Sequence, residues 1–132
     1  MARVLFVCVE NAGRSQMSAA LFERSTAGQH QARSAGTRPA ARVDPVVVEA
    51  MRELGMELSD RVPRRLEREQ AEWADVVVTM GCGDECPYVP GKRYLDWELR
   101  DPKGLSPDEV RSIRDEISGR VDELVTMLDR ES

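Results

Sequence analysis

Cys8 and Arg14 stand six positions apart in the run Cys8-Val9-Glu10-Asn11-Ala12-Gly13-Arg14-Ser15, which joins an apolar segment to the start of an amphipathic one. A loop of that length can curl into a cradle whose backbone N–H groups converge on a tetrahedral oxyanion. A helix terminus adds positive potential, and the Arg14 guanidinium closes over two oxygens as a fork. Val9, Glu10, Asn11, Ala12 and Gly13 would form the cradle, with Cys8 beneath the anion. The donors that hold an anion also favour thiolate over thiol, which makes Cys8 a nucleophile. Ser15 can hydrogen-bond the sulfur, Asn11 can brace the turn through its side chain, and Gly13 supplies backbone freedom. The plain alternative is a buried strand cysteine before a capped helix, with Arg14 in solvent. The Asn and Gly inside the loop and the Ser directly after Arg14 favour the cradle.

Two further cysteines, Cys82 and Cys86, have the spacing of a partial metal motif, a redox pair or two unrelated thiols. The chain's single histidine, His30, leaves a metal cluster short of nitrogen ligands, and no metal or bound cofactor is expected. In an intact helix side chains at this spacing stand too far apart for a disulfide, so pairing requires the segment to bend or unwind. Gly81, Gly83 and Pro87 permit that.

Positioning these residues is the task of the flanking elements. Arg3 to Cys8 is continuously apolar after its first residue, as suits a parallel strand covered on both faces. A helix follows from about Arg14 to Thr26, closed by Gly28, with Met17, Ala20, Leu21 and Phe22 as its stripe. Gln31 to Ser34 is a weak strand candidate before Gly36. Asp44-Pro45 caps a helix running toward Gly55, and Leu66 to Ala74 reads as a short helix leading into a second buried strand, Asp75 to Met80. Arg93 to Trp97 is a fourth strand. After a polar connection from Glu98 to Leu105, Ser106-Pro107-Asp108-Glu109 opens a long helix with Val110, Ile113, Ile117, Val121, Leu124, Val125 and Leu128 inward. Strands alternating with helices predict a parallel sheet covered on both faces, an α/β three-layer sandwich whose working loops leave the carboxyl ends of the strands. Cys8, Cys82 and Asp101 lie at or just beyond such ends and can meet at one rim.

The whole chain, 132 residues, fits one domain over 1–132 and leaves no room for a second catalytic unit. Its formal charge of -5 offers no general attraction for nucleic acid or anionic lipid, so an anionic ligand needs a local site. The run Val4 to Val9 is far short of the roughly 20 apolar residues that span a bilayer, and too short for a secretory signal. A cytoplasmic, monomeric protein is expected. An odd number of cysteines, three, does not read as a disulfide framework.

Cys8-x5-Arg14-Ser15, Ser34-Ala35-Gly36-Thr37, Val78-Thr79-Met80 and Asp101-Pro102 together resemble the low-molecular-weight protein tyrosine phosphatase superfamily, and within it the arsenate reductases built on that fold. The resemblance covers essentially the whole chain. It implies a four-stranded parallel sheet of order 2-1-3-4, Cys8 as nucleophile, Arg14 as oxyanion clamp and Asp101 as general acid, aimed by Pro102. It further implies a relay: Cys8 forms an adduct with arsenate, Cys82 attacks Cys8 as arsenite leaves, and Cys86 draws the disulfide onto Cys82–Cys86. An external reductant, thioredoxin in the members this chain looks like, or alternatively mycothiol or a glutaredoxin system, then restores both thiols. Related phosphatases place aromatic rings beside the acid. Here Lys103-Gly104-Leu105 follows Asp101-Pro102, which favours a small inorganic oxyanion, arsenate or phosphate. A potassium site seen in some members uses a helical acid where this chain has Ala19, so a potassium requirement is not expected. The alternative reading is a tyrosine phosphatase whose nucleophile is protected by reversible disulfide formation.

Overall fold

The computed structural model describes residues 1–83, 86 and 88–131. Eight elements follow one another: β1 (Arg3–Cys8), α1 (Arg14–Thr26), β2 (Gln31–Gly36), α2 (Pro45–Arg52), α3 (Arg68–Trp73), β3 (Val76–Thr79), β4 (Arg93–Asp96) and α4 (Pro107–Glu131). The four strands form one parallel sheet in the order β2-β1-β3-β4, as the resemblance implies. β1 is central, which explains its unbroken apolar character: Val4, Leu5, Phe6 and Val7 are fully buried. Register pairs Cys8 with Gly36 and Val7 with Thr79, so the loops after β1, β2 and β3 leave the sheet at one edge.

Alternation along β1 divides the core. Val4, Phe6 and Cys8 face the larger cluster, shared with α1, α2 and α4, while Leu5 and Val7 face a smaller one with Val77, Ala74 and Cys82. In the larger cluster Phe6 packs against Phe22 at 5.6 Å and Trp97 at 5.9 Å between ring centres, which makes Trp97 a packing residue. Every residue expected on the inner face of α4 is buried, and Arg114 is buried with them. A buried guanidinium requires partners. Arg114 donates to the Ala50 carbonyl at 2.7 Å and to Glu53 at 2.8 Å, tying α4 to α2.

The element ends show local chemistry at work. Asp44 caps α2 by accepting from the Val46 N–H at 3.1 Å. Ser106 and Glu109 form a reciprocal cap for α4, and Gly119 leaves its 25 residues unbroken. α1 keeps its expected span, but Ala27, at φ 50°, rather than the expected glycine is its left-handed cap, and Gly28 at φ 87° continues the turn. α3 begins at Arg68, later than its apolar pattern indicates, because Glu67 and Gln70 build the capping box there. His30 is a tie within the fold. Its Nδ1 accepts from the Ala2 N–H at 3.0 Å, leaving Nε2 to donate to Asp129 at 2.8 Å. Among the described residues no helix is long and apolar enough to cross a membrane, and no cluster of His, Cys, Asp and Glu is placed to hold a metal ion.

Candidate active site

The loop from Cys8 to Ser15 is held from outside through its carbonyls. The Cys8, Val9, Glu10 and Ala12 carbonyls accept from the N–H groups of Thr37, Arg38, Ala40 and Asp44 at 2.8–3.2 Å, and that of Gly13 accepts from Met17 at 2.9 Å within α1. In a trans peptide the carbonyl and the following N–H point in opposite directions. Outward carbonyls therefore turn the N–H groups of Val9, Glu10, Asn11, Gly13 and Arg14 toward the concave side, as an anion cradle requires. Gly36 makes the approach possible, since a Cβ there would collide with the Val9 carbonyl and the Asn11 backbone.

Asn11 is the hub of the loop. It is fully buried in the left-handed region at φ 52°, a conformation its short amide tolerates better than most side chains. Its Oδ1 accepts from Gln16 Nε2 at 3.1 Å and from the Arg64 N–H at 2.9 Å, while its Nδ2 donates to Ser15 Oγ at 2.7 Å. Ser15 Oγ lies 2.8 Å from Cys8 Sγ, and with Asn11 donating into it the Ser15 hydroxyl hydrogen is available to the sulfur. Cys8 is buried and is a free cysteine. Ser15 and α1's amino end thus place hydrogen-bond donors and positive potential around it.

The last loop covers this cradle. Arg14, itself buried, donates through Nη1 to the Leu99 carbonyl at 3.1 Å and faces Asp101 Oδ2 at 3.7 Å through Nη2. Asp101 is 55% exposed, so it can exchange protons with solvent while touching the guanidinium. Pro102 packs so closely on Gly13 that a Cβ at residue 13 would collide with its ring. Between the two loops lies a pocket of about 20 Å³ lined by Cys8, Glu10, Ala12, Gly13 and Arg14 on one side and by Asp44, Asp101, Pro102 and Lys103 on the other.

Cys8, Arg14, Ser15 and Asp101 are therefore brought together, with the backbone of Val9 to Gly13 around them. Cys82 and Cys86 are joined to each other, with Cα atoms 5.4 Å apart and neither residue in an α-helix, which meets the geometric condition for pairing. Pro87 lies outside the described residues. The expected meeting of Cys82 with Cys8 at one rim is not found: Cys82 is buried with Leu5, Val7 and Val77 on the opposite face of the sheet. The backbone of that loop does reach the site, because Gly81, at φ 79°, lies against the Arg14 guanidinium where a Cβ would collide. Residue patterns along the chain missed four participants: Leu99, whose carbonyl orients Arg14, Gly81, Asp44 and Lys103. Only Lys103 carried a local signal, as a charge directly after Asp101-Pro102.

Residues 3–132 match the family described as low molecular weight phosphotyrosine protein phosphatase. A Halobacterium salinarum protein provisionally named an arsenate reductase is 43% identical over 124 residues, 90% of this chain and 87% of that protein. The glutaredoxin arsenate reductase of Synechocystis sp. is 33% identical over 131 residues, covering 97% of this chain and 99% of its own. Among solved structures, the thioredoxin-dependent arsenate reductase of Corynebacterium glutamicum superposes with a TM-score of 0.88 at 42% identity. It covers all of this chain, which spans 64% of the length of that one.

Proposed function

The chain belongs to the low molecular weight phosphotyrosine protein phosphatase family, and from that premise we propose that it reduces arsenate to arsenite with electrons from its own cysteines. The carrying observation is the placement of three thiols: Cys8 lies free beneath the cradle beside Ser15, while Cys82 and Cys86 stand with Cα atoms 5.4 Å apart, close enough to share a disulfide once Cys8 has reacted.

The Cys8 thiolate attacks arsenic, a sulfur–arsenic bond forms, and the departing oxygen leaves as water after taking a proton from Asp101. Arg14 and the loop N–H groups hold the remaining oxygens and stabilise charge on them as the bond forms. The Cys82 thiolate then attacks Cys8 Sγ. A sulfur–sulfur bond forms, the sulfur–arsenic bond breaks, and its electron pair stays on arsenic, which departs as arsenite. Cys86 attacks Cys82, which releases the Cys8 thiolate and leaves the disulfide on Cys82–Cys86. A dithiol protein of the thioredoxin class takes that disulfide in exchange for two electrons, and a low-molecular-weight thiol with glutaredoxin is the alternative donor. The second step requires Cys82 to leave its cluster on the far face of the sheet. The flanking glycines, Gly81 at φ 79° and Gly83 at φ 53°, place no Cβ in the way of that rotation. The cradle suits phosphate as well as arsenate, but Lys103-Gly104-Leu105 beside Asp101-Pro102 offers an aryl group no ring to pack on, so phosphatase activity is expected to be residual.

The test is to supply arsenate with thioredoxin, thioredoxin reductase and NADPH and follow arsenite directly in wild type, C82S and C86S. Wild type turns over, C86S releases arsenite once and stops, and C82S releases none. Absence of arsenite with every thiol donor, alongside rapid hydrolysis of phosphotyrosine, reverses the reading in favour of a phosphatase.

A further inference from the structure

The pocket over Cys8 contains a cation that the proposed steps leave unused. Lys103 Nζ lies 3.3 Å from Glu10 Oε2, so this ion pair joins the last loop to the cradle across the mouth of the pocket. The position of Lys103 is set locally, since Asp101 Oδ1 accepts its backbone N–H at 3.0 Å and Pro102 between them is seated on Gly13. The charge is thus coupled to the same turn that presents Asp101.

Three acidic residues line the pocket, Glu10, Asp44 and Asp101, against the two cations Arg14 and Lys103. An entering dianion meets that excess of negative charge. Asp44 is engaged with the first turn of α2, and Arg14 is buried and directed by the Leu99 carbonyl. Lys103 is the pocket's adjustable charge: its side chain is 69% exposed, and its partner Glu10 is 34% exposed. An ion pair so open to water contributes little stability, so exchanging one anion for another costs little. An ammonium directed at an oxyanion in a half-enclosed pocket gains a charge-assisted hydrogen bond.

We propose that Lys103 is a specificity-determining residue for the oxyanion, paired with Glu10 at the pocket mouth and passed from the carboxylate to the substrate as it enters. The inference rests on the reading of the Cys8 loop as an oxyanion site. It deepens that reading by making charge, supplied from the last loop, the feature that selects a small dianion.

Inorganic phosphate is the probe, titrated calorimetrically into wild type, K103M, K103R and E10Q at low and high ionic strength, with KM and kcat for arsenate measured in parallel. K103M weakens phosphate binding roughly tenfold at low salt, the size of one lost charge-assisted hydrogen bond. The loss shrinks at high salt. Arsenate KM rises in step and moves further than kcat, K103R restores most of the affinity, and E10Q tightens binding by releasing the cation. The proposal is overturned if K103M binds phosphate within about twofold of wild type, given that a single rim charge otherwise alters association measurably. It is equally overturned if E10Q weakens binding as much as K103M, because the pair is then only a strut holding the loop. Phosphate binding is read without reduction, so a wild type that reduces no arsenate but binds phosphate through Lys103 sinks the reductase reading alone.

Discussion

The loop after β1 and the loop after β3 both carry cysteines, and they are built in opposite ways. The first is fastened by five backbone carbonyls and by an asparagine that makes three side-chain hydrogen bonds, so its geometry is over-determined. In the second, among the described residues, Cys86 donates to the Gly83 carbonyl at 3.2 Å, and the disulfide ties the cysteines to one another rather than to the cradle. The contrast matches the labour proposed for each. A nucleophile that must meet a tetrahedral anion needs fixed donors, since displacement of about 1 Å costs orders of magnitude in rate. A thiol that must travel to it and back is better held by bonds that its own chemistry makes and breaks.

The largest effect that sharpens this comparison is the loss of Cys8. C8S abolishes both arsenate reduction and aryl phosphate hydrolysis while the melting temperature stays close to wild type, whereas C82S removes the reduction only. Parallel assays of the two activities check this, and reduction that survives in C8S breaks the division of labour. Next comes D101N, which removes the proton donor over the rigid loop and lowers single-turnover adduct formation by about 10²-fold or more, with the fold retained. Rapid-quench measurement reads it, and a rate equal to wild type across the pH range removes Asp101 from the acid role. N11A strikes the hub itself. It strips partners from the Arg64 N–H, Gln16 and Ser15 and places alanine at positive φ, at a cost of about 2–4 kcal/mol in denaturant unfolding. A change below about 0.5 kcal/mol would show that the loop is not held through Asn11.

The smallest effect separates both loops from the rest of the molecule. Glu53, remote from either, is held at a pKa of about 2, first by its hydrogen bond to Arg111 and then by Arg114. A carboxyl depressed in the folded state contributes stability that is present above its unfolded pKa, near 4.5, and is lost as pH falls through about 2. E53Q therefore makes the acid loss of stability shallower between those limits and leaves both chemistries at neutral pH as they were. Acid melts of the two proteins measure it, and identical acid profiles would contradict it.

Local pattern carried most of the fold. Apolar runs placed β1 and β3, Asp44-Pro45 and Ser106-Pro107 marked helix starts, and the site's inner residues were legible because Cys8 to Ser15 is a contiguous loop whose chemistry depends on its own spacing. The remainder was set by contacts far apart in the chain. Asn11 reads as a turn residue locally, but its bond to the Arg64 N–H spans 53 positions, and the Lys103–Glu10 pair spans 93. The placement of Cys82 also escaped, because its facing depends on how the chain turns at Gly81 after β3, and no periodicity extends through that turn. A residue at a strand end can be located by pattern, while the face it chooses is decided by packing.

The most direct test is a single turnover of the fully reduced protein with arsenate and no external donor, followed by counting arsenite and mapping the disulfide. One arsenite per chain is expected, with Cys82 joined to Cys86 and Cys8 free. Arsenite formed without any disulfide, or a protein left fully reduced with no arsenite, would contradict it.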